Sequence, residues 1–287
     1  MKHIACEDSW PESWKLSHRF DQEEVWGRIS NRGYAYAYET RRQQTLALIQ
    51  GVQGVLRPGA HVLDIAAAQG NFSLLLAEMG FHVTWNDLRA ELADYTRLKH
   101  EHGRIDYAPG NAFELQFAQL FDAVLITEII EHVAHPDDFL RKTAQLVRPG
   151  GYVFMTTPNG AYLRNTLPKF SDCKDPGVYE TRQFQPDGDG HIFLLHPEEI
   201  HQLAAYSGLV VEEVTLFTNP LTNGHLKTEA LLRLLPQRWV AALEVLGQKL
   251  PTVLARRFLL QTGVRFRKPW ATREDLAVLH DGNAAAA

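Results

Sequence analysis

The chain predicts an α/β protein built on a mostly parallel, doubly wound sheet. Three observations carry that expectation. Short apolar runs alternate with helical segments from His61 to Thr156; Asp64, Asp87 and Asn111 stand at three successive strand ends; and a turn of small residues, Ala66-Ala67-Ala68-Gln69-Gly70, follows the first strand and leads into a helix. Such alternation places helices on both faces of a parallel sheet, and sheets of this kind hold ligands at the carboxyl ends of their strands.

Residues 1–44 are polar and aromatic, with Trp10, Trp14, Trp26, Tyr34, Tyr36 and Tyr38, and read as one or two helices forming a cap outside the sheet. Over 39–56, Leu46, Ile49, Val52 and Leu56 recur at helical spacing, and Arg57-Pro58-Gly59 stops that helix. Strands are expected at 61–65, 81–85, 104–107 and 121–127, with helices at 71–79 and 88–99 between them. A helix at 137–147, stopped by Arg148-Pro149-Gly150-Gly151, precedes a fifth strand at 152–156. Residues 161–192, broken by Pro168, Pro176, Pro186, Gly177, Gly188 and Gly190, read as a long loop or small lid, and structureless loops of that length are usually functional. A helix at 197–206, a sixth strand at 210–217, two or three helices over 228–262 and a last strand at 263–267 follow. The expected divisions are a cap at 1–44, a core at 45–220 with its lid, a helical insertion with the last strand at 221–270, and a tail at 271–287 whose end, 281–287, is expected to be disordered.

Composition narrows the classes. The 287 residues are 45% hydrophobic, enough for a sizeable core, and no internal repeat is visible. A net charge of −5 argues against general nucleic-acid affinity, which needs a positive face. The span 249–273 nevertheless holds Arg256, Arg257, Arg265, Arg267 and Lys268 and no acid before the end, which is either a solvated face or a surface for phosphate or anionic lipid. Cys6 and Cys173 make neither a disulfide framework nor a zinc cluster. Neither a signal-peptide core nor a run of roughly 18 apolar residues occurs, so a soluble cytoplasmic protein is expected.

The acid closing the first strand, the small-residue turn, Asp87, Asn111 and the run Glu128-Ile-Ile-Glu131-His132 together resemble class I S-adenosylmethionine-dependent methyltransferases, over about 55–159, and among them the ubiquinone-biosynthesis O-methyltransferase type. The resemblance implies a Rossmann-like sheet of six strands with an antiparallel seventh. It also implies cofactor contacts at Asp64, Ala66, Gly70, Asp87, Leu88, Asn111 and Ala112, with Asp64 near the methionine ammonium, Asp87 on the ribose and Asn111 on the adenine. The family's turn has glycine where this chain has Ala66 and Ala68; alanine tolerates a tight turn if φ stays negative. NAD is rejected, since Asp64 would face its diphosphate and the full glycine-rich turn is lacking.

Glu-x-x-Glu-His resembles the metal-binding segment of the same enzymes and of small-RNA 3′-end 2′-O-methyltransferases, which add a distant histidine. The implied ligands are Glu128, Glu131, His132 and His191, with His196 in reserve, holding Mg²⁺ or alternatively Mn²⁺, Fe²⁺ or Zn²⁺. Such a cation would acidify a hydroxyl flanked by a second oxygen, as in a catechol or a vicinal diol of a small molecule or glycan. In the alternative without metal, Glu128 touches cofactor or substrate, Glu131 and His132 cap the next helix, and His132 or His191 is the general base. Glu131, His132 and His191 are therefore the catalytic candidates. Two rivals stay open: an RNA 3′-end methyltransferase, and a cofactor-binding protein without turnover, motivated by Ala66 and Ala68. The leucine-rich helices over 228–262 would suit a homodimer interface or a peripheral membrane contact, besides packing on their own sheet.

Overall fold

Central strands read as unbroken apolar runs because both faces of the sheet are covered. The computed structural model describes residues 1–27, 31–183, 190–223, 226 and 228–270. Among them the chain opens with α1 (Glu12–Glu24) and α2 (Arg32–Gln50), then alternates β1 (His61–Ile65), α3 (Asn71–Glu78), β2 (His82–Asn86), α4 (Glu91–Lys99), β3 (Arg104–Tyr107) and β4 (Phe121–Thr127). There follow α5 (Pro136–Leu146), β5 (Val147–Pro158), α6 (Pro197–Tyr206) and β6 (Val210–Phe217). The insertion is three short helices, α7 (Glu229–Leu234), α8 (Gln237–Gln248) and α9 (Thr252–Phe258), before β7 (Gln261–Arg267).

The strands form one sheet in the order β3-β2-β1-β4-β5-β7-β6, parallel except for β7, which runs antiparallel to both neighbours. Side chains alternate between two cores, as the period of two requires. Val124 and Ile126 of β4 join α5 and α6 through Leu140 and Leu203, while Ala123 and Leu125 join α2 and α3 through Leu48 and Leu76. Strand order reverses between β1 and β4, and the crevice at such a switch point is where doubly wound sheets bind ligands.

Several boundaries differ from the sequence expectation. The helix expected at 39–56 starts at Arg32, because the Asn31 side chain accepts the Tyr34 N–H at 3.0 Å and caps it, and it ends at Gln50. It runs unbroken through the expected cap boundary at 44. α4 begins at Glu91, since Asp87 takes the Arg89 N–H and holds 87–89 in a turn. Arg148-Pro149-Gly150-Gly151 is drawn into β5 as an irregularity in its pairing with β4; the Gly150 N–H donates to Lys268 O, the Lys268 N–H donates to Gly151 O, and Arg148 Nε donates to Asp122 at 2.5 Å.

Within 161–192 the described residues form only short 3-10 turns, at Phe170–Asp172 and Pro176–Arg182. The expected tail at 271–287 and lid residues 184–189 lie outside the described residues. No described helix is long and apolar enough to cross a membrane.

Candidate functional site

The crevice is built from the strand ends upward. Asp64, in β1, is wholly buried, and Ser73 Oγ in α3 donates to its Oδ2 at 2.6 Å. Burial pushes its pKa up to about 7, partly opposed by the Ser73 hydrogen bonds and assisted by the nearby charge of Asp87. A carboxyl this short of counter-charge suits a cationic group such as an ammonium.

The turn after β1 overturns one expectation. Ala66 and Ala68 sit at φ of +57° and +49°, so the backbone keeps the left-handed geometry that glycine would take without strain. Hydrogen bonds enforce it. The Ala67 N–H donates to Asn86 O at 2.8 Å, the Ala68 N–H to Asp87 Oδ2 at 2.9 Å, and Trp85 Nε1 to Ala68 O at 3.1 Å. Gly70 has φ of +75°, and a Cβ there would lie 2.4 Å from Thr96 Cγ2, so only glycine fits.

Asp87 is buried just beyond β2, and all four of its acceptor directions are in use. Besides the Ala68 N–H it accepts the Arg89 N–H at 2.9 Å and the Arg89 guanidinium at 3.0 and 3.1 Å. The expected ribose hydroxyls therefore compete with Arg89, whose side chain is more than half exposed and free to swing out. Leu88 is exposed at this rim and Ala112 is buried beneath it. Asn111 uses its Oδ1 for the Phe113 N–H at 3.1 Å and its amide for Glu114 at 2.7 Å. Asn86, which the sequence reading passed over, ties this loop down by donating to Ala108 O and Gly110 O at 2.6 and 2.9 Å.

At the end of β4 the structure brings Glu131, His132 and His191 together, with one ligand atom from each within 4.8 Å of the other two. The Ile192 N–H donates to Glu131 O at 2.7 Å, which pins the lid's end against the turn and sets the His191 ring 4.8 Å from that of His132. Glu131 is wholly buried; Thr157 Oγ1 donates to Oε2 at 3.0 Å, while Oε1 has no hydrogen-bond partner among the described residues. Burial, then the charge of Glu128, push its pKa well above the ordinary carboxyl range.

Glu128 stands outside this trio. It holds φ of +52°, and its Oε2 accepts from Arg41 at 3.1 Å and from Gln261 at 3.1 Å, leaving Oε1 buried and unpartnered among the described residues. His196, the reserve ligand, serves instead as the cap of α6 in a reciprocal pair with Glu199. His135 pairs with Glu180 at 3.0 Å.

Several residues of the site were not legible as such. Arg41 of α2 and Gln261 of β7 reach Glu128 from 87 and 133 positions away in the chain. Lys99 Nζ, fully buried, donates to Asp21 at 2.7 Å and to Asn71 at 2.8 Å; Tyr95 O–H also donates to Asp21, at 2.6 Å. Asn71 and Gln69 donate to Glu24 at 2.9 Å each, and Tyr34 O–H donates to the same carboxylate. These bonds bolt α1 over the turn that follows β1. Of the cap aromatics, Tyr36 and Tyr38 are buried in packing, against Leu232 and Phe72.

A parallel sheet with one antiparallel strand, a buried acid and tight turn after β1, and acids at the next strand ends define an α/β cofactor-binding enzyme. The chain belongs to the methyltransferase-domain family, whose model matches residues 36–214, and it is an S-adenosylmethionine-dependent methyltransferase. It is similar to the ubiquinone biosynthesis O-methyltransferase of Caulobacter vibrioides, at 34% identity over 190 residues, covering 63% of this chain and 73% of that one. That of Aromatoleum aromaticum is 35% identical over 174 residues, covering 58% and 70%. The fold is shared with magnesium protoporphyrin IX methyltransferase from Synechocystis, solved with bound SAH, at a TM-score of 0.55 and 12% identity over 88% of this chain and 94% of that one.

Proposed function

We propose that this methyltransferase acts on a hydroxyl oxygen of a small molecule or glycan carrying a second oxygen beside it, with a divalent cation held by Glu131, His132 and His191. The observation that carries this reading is Glu131. A buried carboxylate with an unpartnered oxygen is costly, and its displaced acidity shows how little stabilises its charge. A cation between it and the two imidazoles removes that cost, and one carboxylate with two histidines suits Mg²⁺, Mn²⁺, Fe²⁺ or Zn²⁺. Bound there, the cation would acidify an acceptor hydroxyl as a Lewis acid.

The chain's own residues do the rest. Asp64 faces the cofactor's ammonium, Asp87 accepts its ribose once Arg89 turns outward, and Asn111 meets the adenine. The acceptor oxygen bonds to the methyl carbon as the carbon–sulfur bond breaks; with the cation in place the acidified hydroxyl gives its proton to solvent, and without it His132 or His191 would be the base that takes it. Because a single displacement joins two bound reactants, positioning supplies most of the acceleration. Transfer to oxygen is further supported by the relatives, which are named O-methyltransferases. Retention of the glycine-like turn geometry by Ala66 and Ala68 counts against a protein that has lost its cofactor.

The test is metal analysis of the purified chain, with S-adenosylmethionine titrated in the presence and absence of Mg²⁺, in the parent and in the Glu131→Ala, His132→Ala double variant. Metal retained by the parent and lost by the variant, along with methylation of catechols, is the expected result. Undiminished turnover of a catechol by the double variant sinks the proposal.

A further inference from the structure

The helices α7–α9 follow the segment matched by the family, which ends at residue 214, and they turn large apolar side chains to solvent. Leu234 is 83% exposed and Val253 77%, and Leu231, Trp239, Leu246 and Phe258 are exposed as well. Single exposed leucines are ordinary on a soluble protein, but such a concentration within 231–258 marks a surface that is covered in use.

Charge is sorted on the same helices. Both acids of 229–258 are engaged by the chain's own groups, Glu229 also by Arg233 at 3.4 Å. Glu229 accepts the N–H groups of Arg32 and Gly33 at 3.1 Å each, and Glu244 is buried, accepting the Asn219 N–H at 3.0 and 3.1 Å. Arg238, Lys249 and Arg257 face solvent with no acidic partner among the described residues. In a chain of net charge −5, the fold has thus assembled a local surface of apolar side chains interspersed with bases.

We infer that α7–α9 dock this protein on the surface of a bilayer containing anionic lipid. Apolar side chains of amphipathic helices sink to the acyl boundary, an exposed tryptophan suits the headgroup level, and bases meet anionic headgroups. A second copy of the chain fits this surface less well, because a two-fold contact sets Arg238, Lys249 and Arg257 of both copies against each other. The helices also stand at the strand ends that carry the candidate site. Asn159, just past β5, donates to the carbonyls of Arg256 and Leu259 at 2.8 and 2.7 Å, and Gln261 reaches Glu128 at 3.1 Å. Docking therefore brings that rim of the sheet to the lipid.

The experiment floats the full chain with phosphatidylcholine vesicles, with and without phosphatidylglycerol, at low and physiological ionic strength. Binding to the anionic vesicles alone, weakening with salt, is expected. Leu234→Asp with Val253→Asp should cut binding by roughly tenfold or more, and Lys249→Gln with Arg257→Gln by roughly fivefold per residue. An unchanged titration with S-adenosylhomocysteine shows that each variant has folded. No flotation with anionic vesicles, or equal flotation of the apolar variant, overturns the inference. So does a dimer in the ultracentrifuge that Leu234→Asp with Val253→Asp dissociates while vesicles bind neither form.

Discussion

Ala66, Ala68 and Glu128 are non-glycine residues held at positive φ, and all three lie at the carboxyl ends of β1 and β4. A side chain in that conformation costs roughly 1–2 kcal/mol, and it persists only where surrounding bonds over-determine the backbone. At Ala68 those bonds are visible, through Asp87 on its N–H and Trp85 on its carbonyl. Replacing Ala68 by glycine relieves the strain but loosens the unfolded chain, so a net gain of about 0.5–1 kcal/mol is expected in urea unfolding. A loss of stability would mean that the alanine methyl packs better than its dihedral suggests. The residue-level pattern in the sequence was clear for Asp64, Gly70 and Asp87, whose types are demanded by local geometry. It misled on the dihedral at Ala66 and Ala68, where residue type suggests negative φ, because a backbone angle is set by the partners of the peptide groups and not by the residue alone.

At the scale of elements, the periodicity of two and the proline-glycine stops located the strands and most helices, since burial on both faces leaves a continuous apolar run. Helix ends were less legible where a side chain makes the cap. Asn31 and Asp87 each moved a boundary by taking a backbone N–H. The bolt between α1 and α3 was not legible, because Asp21, Asn71 and Lys99 carry no spacing that announces their meeting. Its strength is open to measurement. Lys99→Met leaves Asp21 buried without its counter-charge, and removal of one partner from a buried pair costs about 3–5 kcal/mol. Chemical unfolding should show that loss, together with weaker cofactor binding, since α1 would no longer hold the turn at Gly70. A loss comparable to that of an exposed surface pair would place Lys99 in water.

For the whole molecule, burial of Asp64 makes pH the natural variable. Its folded-state pKa, about 7, lies above the ordinary value of 3.8, so between these values the folded protein binds the extra proton. Asp64 therefore favours the ligand-free fold at low pH, and its contribution falls as pH rises through that window. Cofactor binding runs the other way. If the carboxylate must be ionised to meet an ammonium, affinity should weaken about tenfold from pH 8 to pH 6. Calorimetric titration with S-adenosylhomocysteine across that range, alongside Asp64→Asn, measures it; a flat profile in the parent would remove Asp64 from the contact.

The amino-acid sequence by itself determined the sheet, its switch point and the strand-end acids, because alternating burial and turn chemistry act over a few neighbouring residues. It also carried the three residues Glu131, His132 and His191, though not their approach within 4.8 Å. Only the tertiary structure decided that Glu128 answers to Arg41 and Gln261, that Asp87 is occupied by Arg89, and that the acids of α7–α9 are engaged by backbone N–H groups while several bases and large apolar side chains of these helices face solvent. These are choices among partners distant in the chain, and they are made by packing and by the cost of leaving a buried charge alone.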